Sequence, residues 1–222
     1  MNYNKNNERL ILNRIYDLLF KAYEPQHWWP AETSFEVMVG AVLTQNTAWR
    51  NVEAAIANLA EGRALEPELV MAMPEKKLAE LIHPAGYFRI KAKRLRAFCA
   101  FYLEHGQWKG LNTLPTASLR TKLLTVHGVG PETADSILLY AFDRPVFIID
   151  AYTKRIFQRL GVLLPDMSYE EAQHHFHERL TAEASLFNEY HALIVEHAKR
   201  YCLIKPACAE CPLLILCRAK LI

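Results

Sequence analysis

Apolar residues recur at intervals of three and four along almost all of the 222 residues, whereas long runs of alternating apolar and polar residues are missing. This spacing puts apolar side chains on one face of an α-helix, so the sequence predicts an all-α protein. Glycine is also scarce, with 8 residues in the chain. Two stripes that we expect to face a core are Leu10, Ile11, Ile15, Leu18, Leu19 and Ala22, and Ile90, Leu95, Phe98, Phe101, Tyr102 and Leu103.

Capping residues and prolines mark where the helices begin and end. Thr33 with Glu36, and Ser168 with Glu171, have the spacing of a capping box, in which a hydroxyl and a carboxylate satisfy the first amides of a helix. Prolines divide the middle of the chain because they rarely occur inside helices. We expect about ten helices, among them short ones near 48–60, 67–73, 75–82, 116–126, 131–142 and 150–160.

The helices are expected to form a two-lobed bundle. The predicted central lobe covers residues 32–145, and the second lobe combines 1–31 with 146–222. A composition of 51% apolar and 23% charged residues excludes disordered, collagen-like and coiled-coil proteins. No apolar stretch approaches the roughly 20 residues of a membrane span, and residues 1–9 are polar. We therefore expect a cytoplasmic protein with no membrane partner.

The net charge of +2 comes from 26 basic and 24 acidic residues, so any nucleic-acid contact must come from local clusters of cations. Two such clusters occur, and solvated helix faces are the alternative interpretation of both. The first has five cations in eight positions: Arg89, Lys91, Lys93, Arg94 and Arg96. The second is Lys199, Arg200 and Lys205.

Four cysteines near the C-terminus have the spacing C-x5-C-x2-C-x5-C. Clustered thiols in a cytosolic chain favour a shared metal over disulfides. Zinc ribbons usually present two C-x2-C pairs, whereas this segment has only one, so we expect a [4Fe-4S] cluster and keep zinc as the alternative. The expected role is structural, and Cys99 is expected to be core packing. The four predicted ligands are Cys202, Cys208, Cys211 and Cys217.

The segment 124–135 predicts a helix-hairpin-helix, with a turn at Gly128-Val129-Gly130 between two helices. The two glycines permit a tight turn and close approach of a ligand, and the amides that open the second helix form an anion site suited to a nucleic-acid phosphate. A plain helical hairpin is the alternative. Asp150 follows the apolar run 146–149 and opens another helix, where amide dipoles favour an ionised carboxylate. Asp150 is thus either a catalytic carboxylate or an ordinary N-cap.

Together these residues resemble the endonuclease III superfamily of helix-hairpin-helix DNA glycosylases, and the resemblance covers nearly the whole chain. It implies that Asp150 is the catalytic carboxylate. The segment 43–47 is similar to the one whose glutamine, here Gln45, enters the DNA gap, and the segment 86–92 is similar to the loop whose Tyr87 wedges the opposite strand. The implied partner is double-stranded DNA with a damaged base, bound by a monomer associated with the nucleoid. The expected DNA-binding residues are Gln45, Tyr87, Lys91, Gly128, Gly130 and Arg200.

Two positions depart from the family pattern. Endonuclease III has a lysine nucleophile two residues after the second hairpin glycine, where this chain has Glu132. A carboxylate cannot form a Schiff base, so AP lyase activity is not expected. The family's cysteine spacing is usually C-x6-C-x2-C-x5-C, and the first interval here is one residue shorter.

Glu132 and three tryptophans are similar to the 3-methyladenine DNA glycosylase branch, which stacks a damaged purine on aromatic rings. Trp28, Trp29 and Trp49 are the predicted base pocket, with core packing as the alternative. We therefore expect a monofunctional glycosylase of base excision repair that removes an alkylated purine such as 3-methyladenine. The alternatives are a mismatch or oxidised-base glycosylase, an endonuclease III-type glycosylase and AP lyase, and a non-enzymatic DNA-binding module.

Overall fold

The computed structural model describes residues 5–62 and 64–219, and all regular structure within these ranges is helical, which confirms the predicted all-α class. Residues 1–4, 63 and 220–222, which belong to the predicted lobes, lie outside the described residues. The described ranges contain twelve α-helices and one 3-10 helix, more than the ten or so expected. They are α1 Lys5–Tyr23, α2 Ser34–Leu43, α3 Trp49–Glu61, α4 Pro67–Ala72, α5 Glu75–Leu81, the 3-10 helix His83–Ala85, α6 Phe88–Glu104, α7 Gln107–Asn112, α8 Thr116–Leu124, α9 Pro131–Phe142, α10 Ala151–Leu160, α11 Tyr169–His177 and α12 Ala184–Arg200.

The chain divides into two compact units. One runs from Trp29 to Arg144 and contains α2 to α9, and the other combines the residues up to Trp28 with those from Pro145 onward. None of the helices in the described ranges has both the length and the apolar character needed to cross a membrane.

In the unit from Trp29 to Arg144, two strongly apolar helices, α2 and α9, pack against each other. Eight of the ten residues of α2 are buried, from Phe35 to Leu43 with the exception of Glu36. A helix that is apolar on every side is stable only when other helices surround it. The packing of α2 on α9 fixes the second helix of the predicted hairpin in this core.

The two predicted capping boxes differ in the structure. Ser168 and Glu171 form the complete box, because each side chain accepts from the other residue's backbone amide. Thr33 accepts from the amide of Glu36 at 3.1 Å, but the Glu36 carboxylate accepts from the amide of Glu32 instead of that of Thr33. The helix starts were therefore placed correctly, and only one reciprocal box forms.

The predicted apolar stripe on α6 is wrong at its first residue. Ile90 is 51% exposed, whereas the neighbouring Lys91 is 1% exposed. The reason is the helical repeat: Lys91 lies four residues before the buried Leu95 and shares its face of α6, whereas Ile90 lies five residues before it and about 140° around the helix. Cys99 is fully buried on the same face, as expected for core packing. On α1, Leu10 is 63% exposed and the buried residues are Leu12, Ile15 and Leu19.

The other unit has an aromatic core. The Phe147 and Phe176 rings stack with centroids 4.2 Å apart, and Phe157 meets Phe176 edge-on at 4.8 Å. Phe147 lies in the run 146–149 between α9 and α10, which is almost fully buried. Side chains of α11 form hydrogen bonds with the backbone of this run, since the Phe147 amide donates to His177 and the Phe147 carbonyl accepts from Gln173. This packing fixes the point at which the next residue, Asp150, leaves the core.

Candidate functional site

Asp150 caps the N-terminus of α10. Its Oδ1 accepts a hydrogen bond of 2.6 Å from the amide of Thr153, and its side chain is 13% exposed. The Nε2 atom of His191, on α12, lies 3.6 Å from the second carboxylate oxygen. This distance is longer than a hydrogen bond, and the contact is ionic when the imidazole is protonated. One oxygen of Asp150 is thus used by the cap, and the other faces an imidazole.

The environment favours the ionised form of Asp150. Burial by itself raises the pKa of the carboxyl, but the contact and charge of His191 and the hydrogen bond from Thr153 lower it, and the net result is a pKa below its usual value. A carboxylate that stays ionised in a largely buried position can stabilise a cation that forms beside it.

His191 is a site residue that the sequence analysis missed. It is one of nine histidines and has no motif around it. It meets Asp150 only because α12 packs against α10, a contact between residues 41 positions apart. No local signal in the sequence marks that pairing.

The predicted helix-hairpin-helix is formed by α8 and α9. Gly128 has a φ of +86°, and a Cβ atom there would lie 2.3 Å from the Arg94 Cγ, so this position requires glycine. Gly130 is different, because it has a φ of −94° and an added Cβ would meet nothing within 4 Å. Gly130 also serves as the N-cap of α9 without supplying a side-chain acceptor to the first amides of the helix. The backbone at Gly130 is therefore open on its outer side.

A buried ion pair joins the two helices of the hairpin. Arg120 on α8 donates through Nε and one terminal nitrogen to the two carboxylate oxygens of Asp135 on α9, at 2.7 and 3.0 Å. The side chain of Asp135 is completely buried, and that of Arg120 is 22% exposed. A bidentate pair of this kind restricts the angle between the helices as well as their separation.

Gln45 is bound to the hairpin. Its Nε2 donates to the Gly128 carbonyl at 2.8 Å and to the Thr133 hydroxyl at 3.0 Å, and its Oε1 accepts from Arg94. Tyr87 lies in a left-handed conformation, with a φ of 46°, and is 71% exposed. The sequence predicted both as residues that enter DNA, and of the two only Tyr87 projects into solvent.

Lys91, expected to contact DNA, is buried instead. Its Nζ donates to the carbonyls of Leu43 and Ala85 at 2.9 and 2.8 Å, and the residue is 1% exposed. A buried ammonium that spends two of its three donors on backbone carbonyls is not available to a phosphate. The expectation that Lys91 binds DNA is therefore wrong, because the helix turns this side chain inward.

The remaining predicted cations have mixed surroundings. In the first cluster Arg96 donates to the carbonyls of Val70 and Met73, whereas Arg89 and Lys93 are exposed. In the second cluster Arg200 forms an ion pair with Glu196, four residues earlier on α12.

Of the three predicted pocket tryptophans, Trp29 and Trp49 lie in one unit and Trp28 lies in the other. Trp29 meets Trp49 edge-on at 4.6 Å and Tyr140 at 5.1 Å, and all three rings are partly exposed. The α2 backbone passes close to this group, since a Cβ on Gly40 would lie 2.7 Å from the Trp29 ring. Tyr140 was not predicted, because its place on α9 gave no sign that it meets the tryptophans. Trp28 belongs to the other unit, where the Lys199 ammonium lies 5.9 Å from its ring centre.

The four C-terminal cysteines line one cavity of about 590 Å³. Burial raises the pKa of Cys211, the amide of Leu213 opposes this, and the charges of the other three thiols raise it further. Arg159 donates to the Cys202 sulfur at 3.2 Å and to two carbonyls of the same loop, and thus attaches the loop to α10. Within the described ranges no three Cys, His, Asp or Glu side chains are close enough together to hold a single metal ion.

Glu132 is exposed in the first turn of α9. A carboxylate is favourable there because the amides at a helix N-terminus carry partial positive charge. The position that the resemblance assigns to a lysine nucleophile is therefore taken by an acid that suits the helix.

Comparisons with known proteins agree on one family. The family model described as HhH-GPD superfamily base excision DNA repair protein matches residues 39–182. A protein of Methanocaldococcus jannaschii, provisionally named a DNA repair glycosylase, is 47% identical over 219 residues, which is 97% of this chain and all of that protein. The crystal structure of the Helicobacter pylori 3-methyladenine DNA glycosylase bound to 1,N6-ethenoadenine is similar with a TM-score of 0.75 and 30% identity, over 87% of this chain and 97% of that one. A non-covalent endonuclease III–DNA complex has the same fold, with a TM-score of 0.81 and 24% identity over 95% of both chains.

Proposed function

Since the chain belongs to the HhH-GPD superfamily of base excision DNA repair proteins and is a DNA glycosylase, we propose that it is a monofunctional enzyme for alkylated purines such as 3-methyladenine. The observation that carries the proposal is the group of partly exposed rings around Trp29, in a chain similar to a 3-methyladenine glycosylase bound to a modified adenine. We also propose that the chain is organised as the two predicted helical lobes, 32–145 and 1–31 with 146–222.

The proposed catalytic residue is Asp150. Breaking the bond between sugar and base leaves positive charge on the deoxyribose, as in glycoside hydrolysis. An N3- or N7-alkylated purine is already cationic, so the bonding electron pair passes to the base without a general acid. The Asp150 carboxylate stabilises the sugar cation and orients the water whose oxygen bonds to the sugar carbon, and this water gives up one proton to the solvent. The lowered pKa of Asp150 keeps the carboxylate charged for this role.

The proposed base pocket consists of the aromatic rings of Trp29 and Trp49, with Tyr140 as an addition from the structure. Trp28, which belongs to the other unit, stays a prediction from the sequence. A cationic purine gains about 0.5 to 2 kcal/mol from each well-placed ring through cation–π attraction. A neutral purine lacks that attraction, so the rings select for alkylation as well as for shape. The contacts of Trp29 with Trp49 and Tyr140 support a shared stacking surface.

The proposed DNA contacts are the hairpin backbone and the residues near it. A phosphate is expected to approach the amides at the start of α9, and the open space at Gly130 supports this because nothing inside the protein requires a glycine there. Extruding a nucleotide costs a few kcal/mol, least at a damaged base. Gln45 and Tyr87 are proposed to fill the resulting gap, and the exposure of Tyr87 supports its part. Arg200 is proposed as a further backbone contact.

AP lyase activity is not part of the proposed function. The lyase reaction requires an amine that forms a Schiff base with the sugar, and Glu132 has no amine. The acid also fits its helix position without strain, at the favourable end of the α9 dipole.

We propose that Cys202, Cys208, Cys211 and Cys217 hold a [4Fe-4S] cluster. Zinc ribbons usually present two C-x2-C pairs, and this segment has one. A cluster of four irons separates its ligands further, which suits four thiols around a cavity. When bound, the cluster would cross-link the C-terminal loop, which Arg159 attaches to the helix that Asp150 begins.

Base release from three damaged duplexes tests the proposal. Purified protein is incubated with DNA carrying alkylated purines, a thymine mismatch or an oxidised guanine, and the freed base is identified by mass spectrometry. We expect release from the alkylated duplex alone, without strand cleavage. The Asp150→Asn variant should lose release and keep its affinity for the damaged duplex, whereas Asp166→Asn, at an exposed loop position in the same unit, should retain both. Unchanged release by the Asp150 variant would show that another group acts.

A further inference from the structure

The ammonium of Lys91 connects two loops of the unit from Trp29 to Arg144. One of its carbonyl acceptors belongs to Leu43, the last residue of α2, and the other to Ala85, the last residue of the 3-10 helix. Leu43 lies two residues before Gln45, and Ala85 lies two residues before Tyr87. A single nitrogen therefore bonds to the backbone at the same short distance along the chain from each of the two residues proposed to fill the DNA gap.

The position of the Lys91 ammonium at the end of α2 stabilises its positive charge. The last carbonyls of a helix lack intrahelical donors and carry partial negative charge, so a cation at the end of α2 is favoured. Burial, together with the smaller effect of the nearby charge of Arg94, lowers the pKa of Lys91 to about 8. The ammonium form still prevails at neutral pH, with both carbonyls as hydrogen-bond partners.

The neighbouring turn of α6 supports the same arrangement. Arg94 donates to the side-chain amide of Gln45 and packs over Gly128, where it leaves no room for a Cβ atom. Lys91 thus fixes the backbone before Gln45, and Arg94 fixes the Gln45 side chain against the hairpin. Both cations point into the protein, although the sequence suggests a basic surface.

We propose that Lys91 is a positioning residue that sets the separation between the Gln45 segment and the Tyr87 loop, so that both residues enter one gap in the DNA. The inference rests on the gap-filling part of the proposed function. It assigns Lys91 no contact with DNA, in contrast to Lys93, which is exposed on the same helix.

The test compares Lys91→Met with Lys93→Met, since each variant removes one charge from α6. Binding is measured by fluorescence anisotropy, over a series of salt concentrations, to an intact duplex and to a duplex with one tetrahydrofuran abasic analogue. We expect Lys91→Met to lower the preference for the abasic duplex about tenfold, because misplaced loops fill the gap poorly, with the salt dependence of binding unchanged. Lys93→Met should weaken binding to both duplexes by the same factor.

A fall in salt dependence for Lys91→Met would overturn the proposal, because it would mean that the ammonium meets a phosphate. An unchanged abasic preference would overturn it too. If Lys91→Met does not fold, Lys91→Arg, which displaces the donors, is measured and judged by the same two results. If the unmodified protein shows no abasic preference, the gap-filling function fails. Amide hydrogen exchange then tests the bridge, by which we mean the two hydrogen bonds from Lys91 to the carbonyls of Leu43 and Ala85. Exchange should be faster in Lys91→Met at both 44–47 and 85–88, and a change in neither or only one of them refutes the bridge.

Discussion

Replacing Asp135 with asparagine should destabilise the protein by about 2–3 kcal/mol. Breaking a buried ion pair by changing one partner typically costs about 3–5 kcal/mol, because the other charge stays desolvated. The remaining guanidinium of Arg120 is 22% exposed and can recover some hydration, so the expected cost lies at or just below the lower end of this range. For a chain of this length the loss corresponds to a fall in Tm of roughly 4–12 °C.

The reverse substitution, Arg120→Met, should cost more, about 3–5 kcal/mol. It leaves the carboxylate of Asp135, which is completely buried, without its bidentate guanidinium. The double variant should be less destabilised than the sum of the two single changes, because neither charge then remains.

Urea unfolding followed by circular dichroism measures all three variants. A control is Thr121→Ala, an exposed residue next to Arg120 on α8. The reasoning fails if Asp135→Asn costs less than about 0.5 kcal/mol, the size of an ordinary surface change, or if it costs more than Arg120→Met. Either result would mean that burial does not control the strength of this pair.

Three further predictions concern the site. Gly128→Ala should lower the Tm, because Gly128 has a positive φ and an added Cβ would collide with Arg94. Gly130→Ala should leave the Tm unchanged and weaken DNA binding measured by anisotropy. Equal Tm losses for the two variants in thermal melts would contradict this. His191→Asn should raise the pKa of Asp150. The rate of base release falls at low pH as this carboxylate is protonated, so that fall should move to higher pH in the variant. An unchanged pH–rate profile would exclude an effect of His191 on Asp150. Anaerobically purified protein should absorb near 400 nm and contain about four irons, and Cys211→Ser should lose both, whereas one bound zinc in metal analysis would refute the cluster.

Much of the fold could be predicted from residue patterns. Apolar spacing, prolines and capping residues depend on neighbours within one or two turns of chain, so the helix starts at Ser34 and Tyr169 and the hairpin turn at Gly128 could be located from the sequence. The same local rule failed at Ile90 and Lys91. Neighbouring residues of a helix point about 100° apart, so the face that contains Leu95 also contains the charged Lys91 and excludes the apolar Ile90.

The sequence by itself determined the helical class, the family and the types of side chain available, because motifs such as the hairpin glycines and the C-terminal cysteines are contiguous in the chain. Only the tertiary structure decided which of those side chains meet. The partner of Asp150 is 41 residues away at His191, and Tyr140 joins Trp29 from a distant helix. Packing also turned Lys91 away from the surface, because the carbonyl ends of two other elements come within reach of its ammonium.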